Sequence, residues 1–469
     1  MTFESAGLNI SGRLNECPKL LSMSRSNSTR RRFQLRSLII AAAILHLCTS
    51  LAVFMVGKYQ LFPSQIYPTG IGRFASDGLI YQPQLVELCN ILKSEGPRAW
   101  ATWPTQLHVR LYSLPLAPIS RWVSFNILTI EPLNLFFYLA IIVLVFKLGE
   151  AIFGHKAGLI AATIVALWPS LLLHTTQLVR DPLLILAVLL LLWCLVELIH
   201  GEFSWRRGVG LALASIVALV TIRIVRLPMW SVIVAVVVMG LSFFVVRSIR
   251  KRLFHSAAVA YALLLIVGVL VIPRLQPYFH NQQELGITRT IENEWWQKRP
   301  VEEQIYARRE AFNLDSNGEP VVAGDSRIDA EVRLNSRAAI VRHLPRAMIV
   351  GFFAPFPNMW LGPGKQVGAS GRLISGFEML FTYVIESMAL FGLWSRRRSL
   401  AAWLLGIVIG MGAVSLGLVI INMGAMYRLR YPFWILMVVL GAGGALFLWQ
   451  RFRADESAEK VQVEKSPFD

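Results

Sequence analysis

Long runs of apolar residues, separated by shorter polar connections, follow one another from residue 37 to residue 449. A helix needs about 20 apolar residues to cross the hydrocarbon core of a membrane, and only helices and closed barrels satisfy their backbone hydrogen bonds there. The pattern therefore predicts an all-α, polytopic transmembrane protein with about ten spans. The predicted spans are residues 37–57, 127–146, 157–174, 182–199, 208–222, 227–246, 257–273, 374–394, 400–421 and 432–449.

Two of the polar connections are long. Residues 58–126 are predicted to form a first outer loop with helices along the membrane interface; within it, residues 107–123 are apolar enough to be ambiguous, but their prolines and arginines argue against a span. A second outer region combines polar and interfacial segments and has a predicted turn at 315–320. The predicted organisation is a disordered cytoplasmic tail (1–36), a transmembrane core (37–273), the second outer region (274–373), C-terminal transmembrane helices (374–450) and a cytoplasmic tail (451–469).

Composition supports this prediction and excludes other classes. Hydrophobic residues make up 55% of the 469 residues and charged residues 16%, whereas soluble domains have roughly 25% charged residues. The net charge of +18 is concentrated in short basic clusters beside the apolar runs. This is the positive-inside pattern, so both termini are predicted to be cytoplasmic and no nucleic-acid partner is predicted. The clusters contain Arg30, Arg31, Arg32 and Arg36, then Arg206 and Arg207, then Arg247, Arg250, Lys251 and Arg252, and finally Arg396, Arg397 and Arg398.

The cysteines and the N-terminus add two further expectations. The four cysteines are scattered and form no Cys-x-x-Cys pair, so neither a disulfide framework nor a zinc site is predicted. The first apolar run follows a polar tail and four arginines, without a small-residue cleavage site. It is therefore predicted to be a signal anchor in a bacterial plasma (inner) membrane.

Two aspartates are the main candidates for chemistry. Asp77 precedes a predicted amphipathic helix in the first outer loop, where a carboxylate can accept a proton from a sugar hydroxyl; the alternative is a helix N-cap or a solvated acid. Asp181 lies with His174 and Arg180 between two spans, where a divalent metal or a phosphate would be attracted. The alternative there is an ordinary Asp-Pro helix start. His46 has no acidic neighbour in the sequence and receives no predicted role.

Two arginine pairs, in VTIRIVRLP and MYRLRYPFW, run against the positive-inside rule because both are predicted to face outwards. Arg223, Arg226, Arg428 and Arg430 could each bind a lipid phosphate through a planar guanidinium. The alternative is snorkelling or pairing with a carboxylate. Nearby aromatic residues could stack on sugar rings or anchor the protein at the interface; they are Trp295, Trp296, Tyr427, Tyr431 and Trp434.

The order of these features resembles the GT-C glycosyltransferases, specifically the family 39-like branch that includes protein O-mannosyltransferases and the lipid A aminoarabinose transferase. The resemblance rests on Asp77-x-x-x-Tyr81 with a helix ending at Gly96, the turn LGEAIFG, the segment WPSLLLHTTQLVRDPLLILAVLLLLW, then IRIVRLP and the terminal MYRLRYPFWILMVVLG. It covers residues 37–250 and the last hairpin. Such enzymes use polyprenyl-phosphate sugars as donors on the outer face of the membrane.

The resemblance implies a role for several residues. Asp77 matches the first-loop acid that acts as catalytic base or metal neighbour, and Asp181 matches the acid at the start of the fourth span. Two departures leave the metal and the acceptor open: Gly78 stands where the family often has a second acid, and WPTQLHVRLYSLPL replaces a charged residue before Pro-Pro-Leu-Tyr, so Arg110 or His108 would substitute. The implied metal, Mg or Mn, would be held by Asp77, Asp181 and His174, while lipid phosphate or substrate would be bound by Arg223, Arg226, Arg428, Arg430, Arg180, Tyr81 and Arg110.

The expected function is an inverting transfer of a sugar from a polyprenyl-phosphate donor to a glycan, lipid or protein acceptor of the cell envelope. A lipid-linked polysaccharide polymerase or ligase would share the outer loops and the arginines. A transporter or flippase is less favoured, because the sequence shows neither a hydropathy repeat between its halves nor a matched pair of broken helices.

Overall fold

The chain is helical throughout the part described by a computed structural model, which covers residues 17–201, 203–252, 254–275, 299–312, 327–361 and 368–464. These ranges contain seventeen α-helices and no β-strand, so the predicted all-α class is confirmed. The first eleven helices are α1 (Cys17–Lys58), α2 (Asp77–Ser94), α3 (Pro97–Thr102), α4 (Leu107–Ile119), α5 (Glu131–Phe153), α6 (His155–Ala166), α7 (Pro169–Thr175), α8 (Asp181–His200), α9 (Trp205–Val225), α10 (Trp230–Lys251) and α11 (Ser256–Val271). The other six are α12 (Val301–Ala311), α13 (Arg337–Phe353), α14 (Gly368–Ser395), α15 (Leu400–Val419), α16 (Met423–Leu429) and α17 (Tyr431–Glu464).

Nine helices within the described ranges are long and apolar enough to cross a membrane: α1, α5, α8, α9, α10, α11, α14, α15 and α17. The predicted multi-pass membrane architecture is therefore confirmed. The predicted third span, 157–174, is not one straight helix but the pair α6 and α7, bent by 67°. Pro169 explains the break, because a proline disfavours helical backbone at the preceding residue, and Trp168 is indeed extended.

The first long connection folds into short helices, as predicted. The ambiguous stretch 107–123 becomes α4, which has 13 residues and contains Pro115 and Pro118. A helix of that length is too short to cross the hydrocarbon core. In the second long region, α12 and α13 are followed by a 3-10 turn at Pro357–Met359. The turn predicted at 315–320 lies outside the described residues.

The N-terminal tail differs from the prediction of disorder over 1–36. Helix α1 begins at Cys17, well before the predicted span that starts at residue 37, and continues without interruption to Lys58. The segment has one proline, Pro18, placed in the first turn where a missing N–H costs nothing. Since the rest of it carries no glycine and many good helix formers, it extends the first span.

Glycines set the closest helix contacts. A Cβ at Gly444 of α17 would lie 1.9 Å from the carbonyl oxygen of Met388 in α14. At Gly417 of α15 it would lie 2.0 Å from the carbonyl oxygen of Ala347 in α13. The hydrophobic effect does not drive helices together within lipid. Close backbone approach at small residues provides van der Waals packing energy instead.

The helices place the candidate site and the basic clusters at opposite ends of the bundle. Helix α8 starts at Asp181 and ends at His200, beside Arg206 and Arg207. The side chains of His200 and Ser399 lie 3.4 Å apart, which brings the loop with the last basic cluster, Arg396 to Arg398, to the same end. The pattern of charge by which this end was predicted to be cytoplasmic is thus retained in three dimensions.

Candidate functional site

Asp77 is positioned by the first turn of α2. Ser76 occupies the cap position, so the N-cap alternative for Asp77 is wrong. Its side chain is 30% exposed, and its Oδ2 accepts a hydrogen bond from Nη1 of Arg428 at 3.1 Å. The carboxylate is therefore directed at another element and not at its own helix.

Asp181 opens α8, and Pro182 follows it in the first turn, as the Asp-Pro alternative expects. Besides starting the helix, Asp181 lies close to a positive charge. Its Oδ2 lies 3.7 Å from Nη1 of Arg428, beyond hydrogen-bond distance, and has no hydrogen-bond partner in the described part of the chain. The side chain is only 8% exposed. A buried carboxylate oxygen held this way depends on the neighbouring positive charge.

Arg428 is brought to the two aspartates by the short helix α16. Asn422 caps α16, its side-chain oxygen accepting from the backbone N–H groups of Gly424 at 2.9 Å and Ala425 at 3.3 Å. This fixes the orientation of a seven-residue helix that could not be stable alone. The Arg428 guanidinium thus contacts an aspartate that lies 351 positions earlier in the sequence.

The loop before α2 is fastened to the segment before α8. The side chain of Gln177 accepts from the backbone N–H of Gly72 at 2.8 Å and donates to the carbonyl oxygen of Gly70 at 3.4 Å. A Cβ at Gly78 would lie 3.2 Å from the carbonyl oxygen of Leu178, tighter than nearly all ordinary contacts. A larger side chain at position 78 would need more room still.

Further arginines surround the acid pair. Burial alone would raise the pKa of Asp77, but the positive charges of Arg428 and Arg180, with a smaller effect of Arg226, hold it below its ordinary value. Burial and the charge of Arg180 lower the pKa of Arg226 to about 10, against the opposing effect of Asp181. Three guanidiniums and two carboxylates are therefore close enough to shift the pKa values of their neighbours, and positive groups outnumber negative ones. Such a site favours an anion.

Tyr81 and His108 form the wall beneath these charges. Their rings meet edge to face with centroids 4.4 Å apart. Burial raises the pKa of Tyr81, while burial and the charge of Arg180 lower the pKa of His108 well below its ordinary value. His108 is therefore neutral. Of the two substitutes predicted for the family's charged residue, His108 lies against the site and Arg110 does not: Arg110 donates to the carbonyl oxygen of Trp103 at 2.6 Å and stacks on Trp100.

His174 reaches the same region from α7. Its Nδ1 lies 2.8 Å from the carbonyl oxygen of Ser170 and 3.3 Å from the hydroxyl of Tyr431. Since a carbonyl only accepts, Nδ1 carries a proton. Within the described ranges, no three His, Cys, Asp or Glu side chains are arranged to hold a metal ion. Arg428, and not a third ligand, stands between Asp77 and Asp181, so the metal stays a prediction.

Two of the four arginines that were predicted to face outwards lie away from the acid pair. Arg430 is 5% exposed and donates from Nη1 to the carbonyl oxygens of Phe352 at 3.0 Å and Ala354 at 2.8 Å. Arg223 is equally buried, with its guanidinium 5.4 Å from the ring centroid of Trp230. Both therefore have contacts that stabilise the fold, whereas Arg226 and Arg428 belong to the charged cluster.

Two of the aromatic residues that were predicted to stack on sugar rings are buried. Tyr431 and Trp434 are each 3% exposed, and Trp434 packs on Trp168 with ring centroids 4.3 Å apart. These rings lie in the core of the bundle. Trp295 and Trp296 lie outside the described residues.

Sequence reasoning missed two buried polar networks. His46, which was given no role, lies with Nδ1 2.7 Å from Oε1 of Glu131 and Nε2 3.1 Å from the hydroxyl of Thr175. Glu378 of α14 accepts from the backbone N–H of Ser170 at 2.7 Å and from the hydroxyl of Tyr427. An acid inside an apolar run was the available signal for Glu378. Nothing local could have paired His46 with a residue 85 positions away.

The chain matches no family model, and no curated protein matches it.

Proposed function

We propose that the protein is a membrane glycosyltransferase that moves a sugar from a polyprenyl-phosphate donor to an acceptor on the outer face of the plasma membrane, with inversion at the anomeric carbon. The observation that carries the proposal is the convergence of Asp77, Asp181 and Arg428 from three distant elements at one end of the bundle. Carboxylates and guanidiniums at the membrane surface are the groups that this reaction requires.

The guanidiniums serve the leaving group. A lipid phosphate departs as an anion and needs no proton, but it needs positive charge where negative charge develops. Arg428 and Arg226, with Arg180 close enough to shift their neighbours' pKa values, supply that charge. The apolar faces of the surrounding spans accommodate the lipid tail.

Asp77 serves the nucleophile. Its lowered pKa keeps it ionised at neutral pH, so it can accept the proton of an acceptor hydroxyl. Its weakness as a base comes mainly from Arg428. A donor phosphate that attracts Arg428 would loosen this ion pair and make Asp77 more basic only when the donor is in place. The hydroxyl oxygen then bonds to the anomeric carbon as the bond to the phosphate oxygen breaks, and this single displacement inverts the configuration.

Asp181 has a different role from Asp77 in this mechanism. It is more buried than Asp77, at 8% against 30% side-chain exposure, and its contact with Arg428 is longer. It therefore acts as a positioning residue that keeps the guanidinium between the two carboxylates. None of these steps uses a metal.

The experiment is sugar transfer from a labelled polyprenyl-phosphate donor pool in membranes that contain wild type, Asp77→Asn or Glu87→Gln. Glu87 is an exposed acid on the same helix and is the matched control. Loss of a general base costs about 10²–10⁴-fold in rate, so Asp77→Asn should abolish measurable transfer while Glu87→Gln retains it. Near-normal transfer by Asp77→Asn would remove Asp77 from the mechanism, and no transfer by wild type with any such donor would remove the proposed activity.

A further inference from the structure

A carboxyl group without a hydrogen-bond partner lies within the membrane-spanning helix α14. Glu386 is more than two helical turns from either end of the span Gly371–Ser395. Its side chain is half-buried, but both carboxyl oxygens are buried and receive no hydrogen bond from the described part of the chain. The proposed transfer makes no use of this residue. An ionisable side chain inside a membrane is costly and marks a functional site by default.

The surroundings of Glu386 are close-packed on one side and apolar on the other. A Cβ at Gly441 of α17 would lie 3.0 Å from the carbonyl oxygen of Ile385, the residue before Glu386. Leu390, one helical turn further along α14, is 71% exposed. The carboxyl group therefore lies at the edge of a close helix contact, next to surface that faces lipid.

Glu378, about two helical turns earlier in the same span, shows which contacts stabilise an ionised carboxylate at this depth. Its Oε1 accepts from the backbone N–H of Ser170 at 2.7 Å, and its Oε2 accepts from the hydroxyl of Tyr427. Hydrogen bonds to the charged form favour that form. Since Glu386 receives no such bond within the described residues, the two acids differ in their capacity to carry negative charge.

Arg430 is the charged side chain, among the described residues, that acts on Glu386 electrostatically. Its N–H groups are directed elsewhere. Nη1 donates to the carbonyl oxygens of Phe352 at 3.0 Å and Ala354 at 2.8 Å, and Nη2 lies 3.0 Å from Sδ of Met379. The guanidinium therefore makes no hydrogen bond to Glu386.

The charges near Glu386 can be counted. Arg430 acts on both Glu378 and Glu386, and one guanidinium balances one carboxylate. Tyr383 is the other titratable neighbour, and it is neutral because its hydroxyl donates to the carbonyl oxygen of Phe353 at 2.9 Å. With Glu378 ionised, a carboxylate at Glu386 would be an unbalanced charge without a donor, whereas a protonated carboxyl group costs far less to bury.

We propose that Glu386 is a proton-binding site inside the membrane, whose carboxyl group holds a proton while Arg430 remains on its carbonyl oxygens. Loss of this proton would place a second carboxylate beside Arg430, in competition with the carbonyl oxygens of Phe352 and Ala354 for its N–H groups. The site requires neither the donor nor the acceptor of the proposed transfer, so it stands or falls independently of Asp77.

The test is modification of the purified full-length protein, in lipid vesicles, by dicyclohexylcarbodiimide, an apolar reagent that enters the membrane. The carboxyl proton moves to one nitrogen of the carbodiimide, and a carboxyl oxygen bonds to its central carbon. The acyl group then migrates to a nitrogen, which gives a stable N-acylurea without loss of any atom. Peptide mass spectrometry locates the adduct. A water-soluble, positively charged carbodiimide is the matched reagent, since its charge keeps it out of the hydrocarbon.

The apolar reagent should modify Glu386 and leave Glu378, the matched acid in the same span, unmodified. The charged reagent should modify neither. Glu386→Gln retains a neutral group of nearly the same shape, so it should lose the adduct and keep the unfolding midpoint of wild type. Glu378→Gln should lower that midpoint, because the carboxylate that accepts two hydrogen bonds is removed.

No adduct at Glu386, equal modification of Glu378, or modification of Glu386 by the charged reagent would overturn the proposal. An unfolding midpoint of Glu386→Gln as low as that of Glu378→Gln would also overturn it, since a carboxylate and not a neutral acid would then be needed at position 386.

Discussion

At the scale of single residues, the ion pair between Asp77 and Arg428 decides the protonation state of the site. Because the folded pKa of Asp77 is depressed, its ionisation favours the folded state at every pH above the unfolded value of about 3.9. That contribution is lost only as the pH falls through the lower folded pKa. Asp77 is therefore ionised at neutral pH in the free protein.

The pH dependence of kcat/KM follows from this pair. The acid limb of that profile reports the base in the free enzyme, so kcat/KM should stay level down to about pH 5 and fall only below about pH 4. The measurement is initial transfer rate against pH at low donor concentration, where the donor-free protein limits the rate, with thermal stability followed at each pH. A limb near pH 6 in a protein that is still folded would mean that another group is the base.

The sequence identified the candidate residues, but not which of them lie together in the site and which stabilise the fold. Asp77, Asp181 and Arg428 were candidates from their positions at predicted helix ends, and they meet. Arg430, two residues after Arg428, could not be distinguished from it by pattern, although it donates to backbone carbonyls at the C-terminal end of α13. Spacing along a chain indicates which residues share a loop, whereas long-range packing decides which of them turns to the acid pair.

At the scale of elements, the closest helix crossing depends on glycine. Gly444→Ala should lower stability by about 1–3 kcal/mol, because its Cβ would lie 1.9 Å from the carbonyl oxygen of Met388 and the helices must move apart. Gly410→Ala is the matched change in α15, where a Cβ has no neighbour within 4 Å. It should be neutral or stabilising by about 0.5–1 kcal/mol, since glycine is a poor helix residue.

Thermal unfolding midpoints of the two purified variants test this packing. A clearly lower midpoint for Gly444→Ala and an unchanged or higher one for Gly410→Ala are expected. Equal midpoints would mean that α14 and α17 do not approach each other as closely as described.

The spans themselves were accessible from the sequence because hydrophobic length is a local property. The break between α6 and α7 was not predicted, although Pro169 was visible, since prolines within spans are often tolerated. The start of α1 at Cys17 was also missed. A polar, basic segment reads as disordered by composition, but the helix that follows it supplies the costly nucleus, and extension then adds one hydrogen bond per residue.

At the scale of the whole molecule, charge and chemistry are separated along the bundle. The basic clusters gather at one end, beside His200 and Ser399, and the acid pair with its arginines lies at the other. By the positive-inside rule, we expect the basic end to face the cytoplasm and the site to face outwards. A lipid-linked donor can reach a site at this level without leaving the membrane, which is the arrangement that the proposed transfer needs.

The central claim is that Arg428 binds a lipid phosphate, and equilibrium binding of polyprenyl phosphate to the purified protein tests it most directly. Arg428→Lys keeps the charge but loses the planar fork, so affinity should fall by about 1.5–3 kcal/mol, or roughly 10- to 150-fold. Arg430→Lys is the matched change two residues away and should lower the unfolding temperature, since two carbonyl contacts are weakened, while affinity stays near that of wild type. Unchanged affinity in Arg428→Lys, or an equal loss in both variants, would contradict a phosphate site at Arg428.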